Sequence, residues 1–405
     1  MNPERTTALC HVTTVPMSLT FLRGQVGYMQ ARGFRVSAVS SPGLELDEFG
    51  RENGAFVAAL PMPRSITPGR DLWTVWRMTR VLRRIRPEIV HSHTPKGGLL
   101  GMLSAVAARV PVRIYHMRGL PLMGASGAKR RLLWWTEWVS CALAHRVICV
   151  SHSLREVALA EGLCAPEKIV VVAGGSGQGV DSAGRFDPAN LPSGVREDTR
   201  ARFNIPADAP VAGFVGRLVR DKGVVELWEA WRTLREAHPT LHLLLVGPFE
   251  PQDPVPPAVR EGLEADPRVH LAGMDWNTPA LYAAMDLLVL PTYREGFPNV
   301  PLEAAAMGLP VVATRIPGCV DAVVEGVTGT LVPVRDAATL AKAVGAYVAD
   351  PELRRAHGTA GRARVERDFR REVIWAGILA EYTRLLDARR RRSPVPMSRA
   401  AETRP

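Results

Sequence analysis

Two glutamates and two cations are the residues most able to do chemistry together. Glu295 and Glu303 bracket the stretch Gly296–Phe297–Pro298–Asn299–Val300–Pro301–Leu302, which follows an apolar run ending at Leu290. Asn299 suits a helix N-cap, and Pro301 suits a first turn, where a missing N–H costs little. The leading N–H groups of such a helix form an anion site. A phosphate held there leaves Glu303, a turn further in, to accept hydrogen bonds from sugar hydroxyls. By spacing alone, Glu295 reads equally as a loop carboxylate and Glu303 as an acidic residue favoured by the helix dipole. Earlier in the chain, Gly216–Arg217–Leu218–Val219–Arg220–Asp221–Lys222–Gly223 passes from an apolar run into a helical pattern. On their own, Arg217 and Lys222 in such a loop read as solvated cations.

The elements that must position these residues alternate regularly. In the first half, short apolar runs fall at residues 9–15, 36–40, 56–60, 89–92, 112–116, 147–150 and 169–172. Helical patterns at 20–32, 44–53, 71–86, 99–109, 129–144 and 153–161 separate them. The second half repeats the scheme with apolar runs at 211–215, 241–246, 269–271, 287–290, 311–313 and 331–332. Its helical patterns fall at 224–237, 278–284 and 300–307. Near-continuous Val/Ile/Leu runs alternating with helices predict parallel sheets covered on both faces. Residues 186–208, with three prolines, read as a linker with a small helix. Ligands of doubly wound sheets bind at the carboxyl ends of the strands.

Placed on those elements, the motifs resemble a known family. Glu295 and Glu303 with seven residues between them, followed by Ala304–Ala305–Ala306–Met307–Gly308–Leu309–Pro310, are similar to the E-x7-E signature of retaining family-4 glycosyltransferases. The segment Gly216–Gly223 is similar to that family's G-R-x-x-x-x-K-G. The resemblance covers roughly residues 7–385 and is more specific in the second half. It implies the GT-B fold: two facing Rossmann-like domains with a cleft between them. On that pattern residues 1–188 form the acceptor-binding domain and 189–370 the nucleotide-sugar domain. Residues 371–388 form a helix crossing back to the first, and 389–405 a disordered basic tail. The resemblance also assigns roles. Arg217, Lys222 and Glu295 act on the departing diphosphate and donor sugar. Gly24, Gly216, Gly247, Met274, Gly296, Phe297, Pro298, Asn299, Val300 and Glu303 line the donor site, with Glu303 at the ribose.

The first half departs from the family in one place. Within Tyr115–His116–Met117–Arg118–Gly119, Arg118 stands before the glycine where a sugar-contacting His is usual, and His116 lies two residues earlier. In an extended strand both point to one side, so either can take that role. His91–Ser92–His93–Thr94–Pro95–Lys96–Gly97–Gly98 resembles the strand-end motif of a subgroup that builds bacterial surface polysaccharides and lipid-linked oligosaccharides. His93 and Lys96 are thereby expected to contact an acceptor diphosphate. The alternation of His91 and His93 also suits a metal pair, but no carboxylate or cysteine lies beside them, so no metal is expected. The family uses no resident cofactor; the nucleotide-sugar, most often a uridine diphosphate, is a substrate.

Bulk composition sets the outer bounds. The chain of 405 residues carries a formal charge of +11, with nearly all the excess before residue 190. Five cysteines without close pairing fit neither a zinc site nor a disulfide framework and suit a reducing cytoplasm. No long uncharged apolar stretch predicts a membrane span. Arg77, Arg80, Arg83, Arg84 and Arg86 among Trp73 and Trp76, and Lys129–Arg130–Arg131 beside Trp134–Trp135, suit an anionic membrane surface. They read equally as solvated arginines around core tryptophans. The expected enzyme is cytoplasmic, peripheral on the inner face of the membrane, and moves a hexose or N-acetylhexosamine to a polyprenyl-diphosphate-linked or other glycan acceptor. A nucleotide-sugar 2-epimerase shares the fold. A nucleic-acid-binding protein fits the charge, but no recognition motif supports it.

Overall fold

The computed structural model describes residues 6–63 and 65–392. Among these described residues, thirteen strands form two parallel sheets. The first contains β1 (Thr7–Val12), β2 (Phe34–Ser40), β3 (Phe56–Ala59), β4 (Ile89–His93), β5 (Val112–Met117), β6 (Arg146–Cys149) and β7 (Ile169–Val171). Its order is β3-β2-β1-β4-β5-β6-β7. The second contains β8 (Val211–Val215), β9 (His242–Val246), β10 (Val269–Gly273), β11 (Leu287–Leu290), β12 (Val311–Thr314) and β13 (Gly329–Val332), in the order β10-β9-β8-β11-β12-β13. Each order reverses direction beside its first strand, the point where doubly wound sheets bind ligands.

Burial explains the strand sequences. All five residues of β8 and of β9 are buried, as are all four of β11 and β12. A strand covered on both faces tolerates no alternation, and each enclosed Val, Leu or Ile adds about 1.5–3 kcal/mol. Gly213 in β8 lets Met285 pack close: a Cβ there would lie 2.0 Å from the Met285 sulfur.

Each expected apolar run is a strand, within a few residues. The helices depart further from expectation. The pattern at 20–32 breaks into a 3-10 turn, Pro16–Leu22, and a short helix, Gln25–Gln30, because Gly24 between them has φ +81°. The helix after β4 begins at Pro95, since Thr94 turns the chain at φ +67°. Helices Pro257–Ala265, Ala337–Ala349 and Pro351–Asp368 have no counterpart in the sequence reading. Pro351–Asp368 is strongly polar, with only Gly358, Gly361 and Val365 buried, so it shows no apolar stripe. The final helix, Arg371–Arg392, includes the first four residues expected to be a disordered tail; residues 393–405 lie outside the described part.

By contact density the chain divides into two compact units. Among the described residues, one comprises 6–63, 65–115, 142–146 and 375–392, the other 116–141 and 147–374. No helix among the described residues is long and apolar enough to cross a membrane.

Candidate functional site

The second unit gathers most of the expected site residues at the carboxyl ends of its strands. β8 leads into Gly216, whose N–H donates to the Val246 carbonyl at 2.9 Å. β9 leads into Gly247, whose N–H donates to Gly273 at 2.8 Å. These two turns touch backbone to backbone. Gly247 has φ +134°, and a Cβ on it would lie 1.9 Å from the Gly216 carbonyl oxygen. A glycine is therefore required on both counts. Met274, beyond β10, is 62% exposed.

Between Gly216 and the helix Val224–Ala237, the chain makes one 3-10 turn, Arg220–Lys222, and reverses at Gly223 (φ +72°). A Cβ on Gly223 would lie 2.0 Å from the Pro291 carbonyl oxygen, so the turn sits directly on the loop after β11. Several bonds join these two loops. Asp221 accepts from the Tyr293 N–H through its carbonyl at 2.9 Å and pairs with Arg294 through its carboxylate at 3.1 Å. The Tyr293 hydroxyl donates to Glu226 at 2.6 Å. Burial and the Glu226 carboxylate both raise that phenol's pKa, so it stays a donor. Held between them, the Lys222 ammonium forms an ion pair with Glu295, the two side chains being 19% and 15% exposed. Arg217 reaches Glu250 at 2.9 Å and remains 46% exposed.

The loop 295–299 rests on earlier parts of the chain. A Cβ on Gly296 would lie 2.0 Å from the Arg118 carbonyl oxygen. The Gly296 carbonyl accepts a hydrogen bond from Ser151 Oγ at 2.8 Å. The Phe297 ring packs against Phe369, with centroids 5.6 Å apart. Asn299 does not cap its helix. The helix Asn299–Ala306 begins at Asn299 itself, Pro298 holds the cap position without a side-chain acceptor, and Asn299 Oδ1 accepts instead from Ser176 Oγ at 3.0 Å. A first turn without a side-chain cap keeps its anion preference.

Glu303 lies one turn in, half-buried, and accepts from the Tyr282 hydroxyl at 3.0 Å. Burial raises its pKa, opposed by the Tyr282 bond and by Arg185 and Arg371. Tyr282 is buried beside this carboxylate, and both causes keep its phenol protonated. One Glu303 oxygen is thus held by the protein, which orients the other.

Of the remaining expected residues, His116 is 1% exposed and Arg118 half-buried, its Nη2 donating to the Gly177 carbonyl at 3.3 Å. Gly24, His93 and Lys96 belong to the first unit. A Cβ on Gly24 would lie 2.7 Å from Trp375 Cη2, so the glycine gives way to an indole. His93 is 1% exposed, with its ring against His11. Lys96 pairs with Asp71 at 2.7 Å and donates to the Pro63 carbonyl at 2.8 Å. Its ammonium is committed to the segment leading into the helix Pro68–Ile85.

Sequence reasoning missed Ser151, Ser176, Tyr282, Tyr293 and Glu226. Ser151 carried a signal: it is a good N-cap before the helix His152–Ala160, and its Oγ does accept from the Leu154 N–H at 3.2 Å. The others act through distant pairings that no local pattern encodes.

Comparison with known proteins identifies the family and the fold. Residues 19–175 match a family model described as a glycosyl transferase 4-like domain, and residues 209–350 one described as glycosyl transferases group 1. The chain is 32% identical over 376 residues to the capsular polysaccharide biosynthesis glycosyltransferase CapM of Staphylococcus aureus, covering 93% of this chain and 97% of that protein. It is 27% identical to the Escherichia coli UDP-Gal:alpha-D-GlcNAc-diphosphoundecaprenol alpha-1,3-galactosyltransferase, over 63% of this chain and 65% of that one. Its fold matches a glycosyltransferase of Rickettsia africae with a TM-score of 0.79 at 20% identity, covering 95% of this chain and 99% of that one. It also matches Anabaena HepE in complex with UDP-glucose, with a TM-score of 0.76 at 20% identity, covering 94% and 100%. These neighbours share the two-sheet GT-B architecture.

Proposed function

The chain belongs to the glycosyltransferases of group 1, and on that premise we propose that it transfers a hexose or N-acetylhexosamine from a UDP-sugar, with retention, in surface polysaccharide assembly. The observation that carries this reading is the interlocked pair of loops holding Lys222 against Glu295, in the loop that leads into the helix bearing Glu303 in its first turns. A nucleoside diphosphate needs cations for its phosphates, a carboxylate for its ribose, and a close-approach backbone for its base. Arg217 and Lys222, Glu303, and the Gly216–Gly247 turn supply these in turn. UDP and UDP-glucose occur in a neighbour of the same fold, which favours uridine as the base.

The proposed reaction is a front-face displacement. The bond from the anomeric carbon to the diphosphate breaks, the acceptor oxygen bonds to the same face, and the acceptor proton passes to the departing diphosphate. The protein contributes placement and charge stabilisation. Lys222 shifts from Glu295 toward the leaving phosphate, and Glu295 then faces the sugar. Arg118 or His116 contacts the donor sugar. The cations Arg217 and Lys222 supply the charge that the diphosphate needs, so this reading uses no catalytic metal.

For the acceptor, the undecaprenol-linked substrate of the Escherichia coli relative favours a lipid diphosphate. The helix Pro68–Ile85 supports an enzyme working at an anionic membrane surface. Leu72, Trp73 and Trp76 are exposed on it, with Arg77 and Arg80 lying over the two indoles at 4.7 and 4.9 Å. Use of Lys96 on the acceptor diphosphate requires it to leave Asp71. The relatives found are transferases, so the epimerase reading is not carried further.

The test is a panel of nucleotide-sugars scored by thermal shift and by hydrolysis, with Glu303→Gln beside the wild type. A UDP-sugar is expected to stabilise the wild type, and Glu303→Gln to weaken UDP by about tenfold while leaving the unliganded Tm nearly unchanged. Equal UDP affinity in the two proteins sinks the ribose assignment.

A further inference from the structure

The two histidines of β4 acquire a third from β1. The strands run parallel with His11 opposite His91, so His11, His91 and His93 project from one face of the sheet. All three are at most 1% exposed. His11 Nδ1 lies 3.0 Å from His93 Nε2, and the rings of His91 and His93 stack with centroids 4.3 Å apart. One nitrogen from each of the three falls within 4.8 Å of the other two. The reason for expecting no metal was that His91 and His93 had no third ligand nearby in sequence; the β1–β4 pairing supplies it.

We propose that His11, His91 and His93 form a buried site for a divalent transition metal of the zinc class. Imidazole nitrogen is the favoured ligand of such ions, and three are enough for a tetrahedral centre with one further donor. Tyr382, on the helix Arg371–Arg392, lies with its hydroxyl 2.6 Å from His91 Nδ1. With Nδ1 donating to that hydroxyl, His91 would ligate through Nε2, and the phenol is its outer-shell contact. The ring T-stacks on His91 as well, with centroids 5.7 Å apart, so its orientation is set twice. A metal about 2.1 Å from each nitrogen needs the nitrogens about 3.4 Å apart in a tetrahedral site. The 3.0 Å pair of His11 and His93 opens by a few tenths of an ångström, within reach of imidazole rotation. The metal would join β1 and β4 beneath the terminal helix.

The experiment uses the full chain, purified without a polyhistidine tag, stripped with chelator and titrated with Zn2+ and with Co2+. The expected result is about one ion per chain, a d–d absorption band from tetrahedral Co2+, and a Tm that rises with Zn2+ and falls again with chelator. His93→Ala is expected to lose about tenfold or more in metal affinity, and exposed His152→Ala none. Should His93→Ala fail to fold, His11→Gln and the wild-type Co2+ spectrum carry the test. A wild type that binds neither ion, or a folded His93→Ala or His11→Gln protein that binds as the wild type does, overturns the site.

Discussion

Replacing Lys222 with alanine separates stability from chemistry at the loop junction. Lys222 and Glu295 keep 19% and 15% of their side-chain exposure. Exposed ion pairs contribute under about 1 kcal/mol, and breaking a fully buried one costs about 3–5 kcal/mol. This pair lies between those limits, so Lys222→Ala should lower folding stability by about 2 kcal/mol. Most of that loss is the unpaired Glu295 carboxylate left in a mostly closed site. The effect on turnover has a different origin. Removing one preorganised donor to a developing charge costs about 3–4 kcal/mol in the transition state, or about 10²- to 10³-fold in kcat. The assay pairs urea unfolding with initial rates on the UDP-sugar chosen by the donor panel. In the double variant Lys222→Ala/Glu295→Gln, stability should recover most of the loss, because no orphan charge remains, while turnover should stay low. A Lys222→Ala enzyme within about threefold of the wild-type kcat refutes the diphosphate role. A double variant no more stable than the single one refutes the account of the pair.

Two other outcomes follow from the same geometry. Gly247→Ala places a Cβ 1.9 Å from the Gly216 carbonyl oxygen at a φ of +134°, and should cost about 3 kcal/mol or more, whereas Gly69→Ala, with open space around it, should be close to neutral; equal urea midpoints for the two refute the close approach. Wild-type protein should bind anionic vesicles at low salt, and Trp73→Ser/Trp76→Ser should weaken that binding about tenfold, as read by vesicle sedimentation; an absence of wild-type binding removes the membrane surface from the proposal.

The sheet strands were legible in the sequence because a strand buried on both faces is written as an unbroken apolar run, and Val211–Val215 or Leu287–Leu290 can be little else. The helix Pro351–Asp368 was not legible. Its glycines make close packing contacts, a Cβ on Gly358 falling 1.9 Å from the Gly308 carbonyl oxygen and one on Gly361 3.2 Å from the Ala305 Cβ. Contact made through the absence of a side chain leaves no hydrophobic period to detect. At the site, spacing alone left Lys222, Glu295 and Glu303 open to bland readings, and the family resemblance of the two motifs singled them out. Their supports were hidden. Tyr282 beneath Glu303 and Glu226 behind Tyr293 each lie far off in the chain, and neither sits in a recognisable motif. Asn299 was misjudged for a related reason. Its side chain satisfies Ser176, a demand set by the loop 174–179 and not by its own helix.

The contacts beneath Gly296 bear on how such enzymes can be recombined. The loop that carries Glu295 leans on the Arg118 carbonyl and on Ser151 and Ser176, all of which precede the linker. A chimaera joined at residue 189 would therefore bring in a second half whose loop at Glu295 meets foreign partners at three points. Moving the junction to residue 147 would carry Ser151 and Ser176 along and leave Arg118–Gly119, with Gly124 beside Arg294, to be matched. Specificity exchange between relatives thus depends on where the crossover falls, and the natural seam in the sequence is the poorer place to cut.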